Sequence, residues 1–142
     1  MKFKILTAIF LLAALISCSV DNENNPQVIK TEWHLRNVSG GIQGIDYDFD
    51  YNIVIWKFNE AQGTVVIENN NTDDSIEDGL DSGTYSYEIN DGTDFTFITV
   101  DNTELGNINI LENELNIDTN LTSNGMGSDG YVYTFRKVEY FE

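Results

Sequence analysis

From Thr31 onward the chain contains no stretch of ten or more residues with apolar positions at helical spacing. What recurs instead is a short run rich in β-branched and aromatic residues, ended by Gly, Asn or Asp. The runs are Glu32–Val38, Asn52–Phe58, Thr64–Glu68, Thr84–Ile89, Phe95–Val100, Leu105–Leu111, Glu114–Asp118 and Tyr131–Val138. Turn residues separate them at Asn90-Asp91-Gly92, Asp101-Asn102 and Glu112-Asn113. Connections this short require antiparallel neighbours, because a parallel crossover takes about a dozen residues or more. The expected fold is therefore all-β. About eight short strands in up-and-down order remove their exposed edges best by closing into an antiparallel barrel. A two-sheet sandwich built from the same strands is the alternative.

The alternation within the runs assigns faces. Tyr85, Tyr87 and Ile89 share one side of their strand, with Ser86 and Glu88 opposite. Tyr131, Tyr133 and Phe135 alternate with Val132, Thr134 and Arg136, and Leu115 and Ile117 with Asn116 and Asp118. Ile53 to Trp56 and Val65 to Ile67 are apolar on both sides, which calls for cover on both faces.

Charge sets limits on partners. The 142 residues hold 24 Asp or Glu against 7 Lys or Arg, a net charge of -17. Without a surplus of cations to displace counterions from phosphates, general nucleic-acid binding is not expected. The length suits one domain with a real core. A single cysteine allows neither an internal disulfide nor a multi-thiolate zinc site.

The N-terminus reads as an address. Lys2 and Lys4 precede the uncharged apolar run Ile5 to Ile16, too short at about 1.5 Å per residue to span a bilayer core of about 30 Å. That pattern is a secretory signal peptide. Leu15-Ile16-Ser17-Cys18 resembles the lipobox of bacterial lipoproteins. The resemblance implies cleavage before Cys18, diacylation of its thiol and usually acylation of the new amine, and two or three acyl chains anchor stably. Ser19, where Asp would resemble an inner-membrane retention signal, implies the outer membrane. The expected organisation is a signal peptide over 1–17, a flexible tether over 18–30 and the barrel domain over 31–142. Removing residues 1–17 leaves 5 cations against 24 acids, a net charge of -19, so the body should stay off anionic lipid apart from its anchor.

The body itself resembles small lipocalin-like lipoproteins of Gram-negative bacteria. The resemblance lies in Glu32-Trp33-His34-Leu35, Ser39-Gly40-Gly41, Ile55-Trp56-Lys57-Phe58-Asn59, Gly83 to Tyr87 and Asp129 to Arg136. It covers Trp33 to Arg136 and implies that Arg136 on the last strand packs over Trp33 on the first. Thr31 stands where lipocalins usually carry Gly, so the likeness is one of architecture and not of ligand.

Few residues suggest chemistry. His34 is the one histidine and is expected on the outer face, at the surface or partly covered. No Gly-x-Ser-x-Gly elbow and no phosphate-binding loop occurs, and Cys18 is committed to lipid, so no catalytic residue is assigned. Asp46-Tyr47-Asp48-Phe49-Asp50 and the stretch Asn69 to Gly83 are acidic clusters of the kind calcium can use, but neither has EF-hand spacing. Both are expected to be solvated loops, the second mobile, with no metal or other cofactor. Asp74-Ser75-Ile76 resembles a periplasmic O-glycosylation sequon. The expected function is a lipid-anchored, non-catalytic binding or interaction module in the outer membrane. Its partner would be a small apolar ligand, or, alternatively, a basic envelope-attacking enzyme captured by the acidic body.

Overall fold

The computed structural model describes residues 28–142, so the expected signal peptide, Cys18 and the expected tether up to Gln27 lie outside the described residues. The domain is all-β. Its strands are β1 (Ile29–Gly40), β2 (Ile45–Asp48), β3 (Val54–Asn59), β4 (Thr64–Asn69), β5 (Gly83–Asp91), β6 (Thr96–Val100), β7 (Thr103–Leu111), β8 (Glu114–Asp118), β9 (Leu121–Thr122), β10 (Gly125–Met126) and β11 (Tyr131–Phe141).

Eight strands form the barrel. Their order is β11-β8-β7-β6-β5-β4-β3-β1, and β11 pairs back onto β1 to close the ring. All pairings are antiparallel, so no barrel strand is left with a free edge. β2 is an extra strand folded back on the end of β1, and β9 with β10 forms a separate hairpin. The sandwich alternative is thereby excluded. β1 begins at Ile29, before the expected domain start at Thr31, because Ile29 and Lys30 pair with Phe141 and Tyr140 of the last strand.

The alternation read from sequence fills the interior. Leu35, Val65, Ile67, Ile98, Leu115, Ile117 and Phe135 are buried almost completely. Trp56 and Phe135 pack with ring centroids 5.3 Å apart. A bulge at Arg36 in β1 and another at Leu105 in β7, opposite Ile98 and Thr99 of β6, bend the sheet into closure. Next to the second bulge, Gly106 has φ +149°, and a Cβ there would collide with the Asp118 carbonyl oxygen. Only glycine lets β7 and β8 approach so closely.

The antiparallel order sorts the connections onto two ends. The loops after β1, β4, β6 and β8 lie at one end, and the tight turns after β3, β5 and β7 lie at the other, together with both ends of the described chain.

Candidate ligand site

The end with the tight turns is open. Side chains that point inward there have nothing above them, so the barrel ends in a cleft of about 370 Å³ lined by Trp33, Phe58, Tyr87, Ile89, Ile108 and Ile110. Lys137, directly opposite Trp33 on β11, and Glu60 add two polar groups to the rim. The Lys137 ammonium is held 2.9 Å from Glu139. Ile89, Phe95, Ile110, Leu111 and Phe141 leave large apolar surface exposed at this end. An apolar cleft with a few polar groups at its rim is the usual form of a small-molecule site.

The opposite end is capped. The segment between β4 and β5 lies across it, with Ile76 and Leu80 packed on the core. The expected mobile, self-repelling loop is not what the chain builds here. Asn71 donates to Asp78 at 2.8 Å, Ser75 donates to Asp73 at 2.6 Å, and Ser82 bonds both backbone groups of Asn69. Tyr133 then reaches across from β11 and donates to Glu77 at 2.8 Å. Burial, and after it the bond to Glu77, pushes the Tyr133 phenol far above its ordinary value. Amide and hydroxyl donors thus absorb carboxylates that would otherwise repel one another. Under the cap lies a smaller cavity of about 100 Å³ between Trp56, Leu105, Tyr133 and Phe135.

The acidic run before β3 is also engaged. Asp46 and Asp48 share one face of β2 and both accept from the Asn37 amide, at 2.7 and 3.1 Å. Phe49 enters the core, whereas Tyr47 stays exposed. Among the described residues, no group of three or more His, Cys, Asp or Glu is arranged to hold a metal ion. Ser75 of the sequon-like triplet is exposed, with its hydroxyl bonded to Asp73.

His34 lies on the outer face as expected, but it is only 2% exposed. Tyr51 packs over it, with ring centroids 5.8 Å apart, and the Asn52 N–H donates to its Nδ1 at 3.2 Å. That bond assigns the ring proton to Nε2, 3.2 Å from Glu32. Glu32 also meets Lys57 at 3.2 Å, and Lys57 meets Glu68 at 2.6 Å. Burial alone would raise the Glu32 pKa, but its bonds to Lys57 and His34 outweigh that and hold it below the usual value. The Glu68 bond, supported by Glu32 and opposed by burial, raises Lys57.

Arg136 does not pack over Trp33. Directly paired residues share a face, and Arg136 pairs with His34 and Glu114 on the outside. Its guanidinium bonds Glu114 at 2.9 Å. The inward residue beside it is Phe135, and the role expected of Arg136 is unfilled. Comparison with known proteins finds no matching family model, no significant curated match and no significant solved structure. What stands is the architecture: a small closed eight-stranded antiparallel barrel, compatible with a calycin-like fold.

Two features of the site were not legible in the sequence. The cap's attachment depends on a bond between residues 56 positions apart. The openness of the other end depends on which strands have tight turns.

Proposed function

We propose that the protein is a lipid-anchored, non-catalytic binding module of the outer membrane that takes a small apolar ligand into the open end of its barrel. The observation that carries this reading is the apolar cleft formed by Trp33, Phe58, Tyr87, Ile89, Ile108 and Ile110 at the open end of the barrel. Burying an apolar ligand there gains about 25 cal/mol per Å² removed from water. His34 supports a non-catalytic role, since its Nδ1 lone pair is occupied by a backbone N–H.

An anchor at Cys18 would lie on the side of the cleft. β1 enters at the open end, and the ten residues from Cys18 to Gln27 span at most about 33–36 Å when extended. A lipidated Cys18 would therefore hold the open end near the membrane, where apolar ligands are concentrated. Labelled palmitate should enter the wild type, and Cys18→Ala should abolish labelling and release soluble protein. Unchanged membrane fractionation of that variant would refute the anchor.

Capture of a basic protein is the second reading. Its support is the acidic surface of the capped end, where Asp74, Glu77 and Asp129 edge a groove with Ile42, Tyr47 and Tyr131. Native mass spectrometry of protein purified from its own envelope separates the two. A bound small apolar molecule supports the first, a salt-sensitive basic protein supports the second, and an empty barrel counts against the first.

A further inference from the structure

Three aromatic side chains meet in the open cleft, and a carboxylate stands beside them. Trp33, Phe58 and Tyr87 lie on the inward faces of their strands and line the cleft together with Glu60. The Phe58 and Tyr87 rings meet edge to face, with centroids 5.0 Å apart and planes at 74°. Trp56 backs Phe58 at 6.0 Å, which fixes that corner. Glu60 belongs to the turn after β3, closed by the Gln62 and Gly63 N–H groups on the Asn59 and Glu60 carbonyls at 3.2 and 3.3 Å. The Tyr87 N–H donates to the Gly63 carbonyl at 2.9 Å, so the turn that carries Glu60 is pinned to β5 at Tyr87. Burial, and after it the negative charge of Glu60, pushes the Tyr87 phenol above its ordinary value. Lys137 is the cation of the cleft, but its ammonium is bound to Glu139 at 2.9 Å and that pair cancels. Glu60 enters no ion pair among the described residues.

We infer, on the reading that the open cleft is the ligand site, that its ligand carries an organic cation: an alkylated ammonium head seated against Trp33, Phe58 and Tyr87 and facing Glu60. Aromatic faces are negative and attract a cation, and rings at right angles present two such faces to one group. Alkyl groups on the nitrogen replace N–H donors, which suits walls that offer rings and one carboxylate instead of a set of acceptors. The apolar remainder of the ligand then lies on Ile89, Ile108 and Ile110. Glu60 disfavours an anion at the same place. The net charge of -17 raises the local concentration of cations further.

The test compares (2-hydroxyethyl)trimethylammonium with its uncharged isostere 3,3-dimethyl-1-butanol, each titrated by NMR against the full-length protein. The cation should bind about tenfold more tightly, with nuclear Overhauser contacts from its methyls to the Phe58 and Tyr87 rings. A merely apolar cleft would reverse that order, because the alcohol loses less hydration on entering. Tyr87→Leu and Glu60→Gln should each narrow the gap several-fold, and added salt should weaken only the cation. Glu60 is exposed on its turn, so its variant remains readable if Tyr87→Leu fails to fold. Equal or inverted affinities, or methyl contacts away from these rings, would overturn the cation site. The neutral fluorophore N-phenyl-1-naphthylamine separates two ways of failing. If it binds saturably and the cation does not, the cleft is a ligand site without cation selectivity; if neither binds, the reading of the cleft as a ligand site falls as well.

Discussion

The two ends of this barrel are made from the same alternating strands, yet one is finished and the other is not. At the capped end, the interior residues of β4, β8 and β11 continue into Ile76 and Leu80 of the long connection, and Tyr133 ties that connection down through Glu77. At the other end, turns of a few residues are too short to fold inward, so Ile89 and Ile110 point into open space. Loop length therefore decides where a small barrel is packed and where it can receive a ligand. Carboxylate-rich sequence does not by itself make a loop solvated. Here the donors of Asn71 and Ser75 satisfy carboxylates within the acidic segment, Ser82 bonds it to the end of β4, and Tyr133 ties it to β11.

This contrast is sharpest between two isoleucines of adjacent strands. Ile117 of β8 is 1% exposed and Ile110 of β7 is 55% exposed. Ile117→Ala should cost about 2–5 kcal/mol in denaturant unfolding, from lost transfer energy and the cavity left behind. Ile110→Ser should change stability by no more than about 0.5 kcal/mol. Equal costs would mean that the open end is packed after all.

A smaller effect should come from the latch. Tyr133→Phe removes the phenol hydroxyl and leaves Glu77 with only the Gly79 N–H on that oxygen. The expected loss is about 1.5–3 kcal/mol, as for a hydrogen bond to a charged group. Hydrogen exchange should quicken between β4 and β5 and stay unchanged in the turn after β7. A uniform increase would show that the cap is not an independent unit.

The smallest effect is electrostatic and lies on the outer face, away from both ends. Glu32 has its pKa lowered in the folded state, so its ionised form stabilises the fold above its unfolded value near 4.5. That contribution should disappear as pH falls below about 4.5 through the lower folded value. In Lys57→Met the loss on acidification should be shallower, because the main opposite charge beside Glu32 is gone. An unchanged pH profile in that variant would remove Lys57 from the account.

Much of this architecture was legible in the sequence because strands impose a period of two. Tyr85/Tyr87/Ile89 and Tyr133/Phe135 declare their inward faces, and Asn and Gly mark the turns. Asp46 to Asp50 was legible as extended chain, but not as β2, because its pairing with Asn37 to Gly40 is set by the closing geometry of β1. His34 was placed on the correct face, but its burial comes from Tyr51 and Asn52, a loop whose path depends on the tertiary fold. The Arg136 assignment failed because it was carried over from a resemblance, while the alternation with Phe135 already pointed Arg136 outward. The cap depends on long-range contacts, which no local pattern reports.

The unequal ends are tested most directly by titrating the apolar fluorophore N-phenyl-1-naphthylamine against wild type, Ile89→Asp/Ile110→Asp and Glu77→Ala. Binding in the open cleft predicts a saturable fluorescence rise in wild type and Glu77→Ala that is lost in the double variant. No saturable rise in wild type, or a rise abolished by Glu77→Ala and retained by Ile89→Asp/Ile110→Asp, would contradict the assignment of the open end as the ligand site.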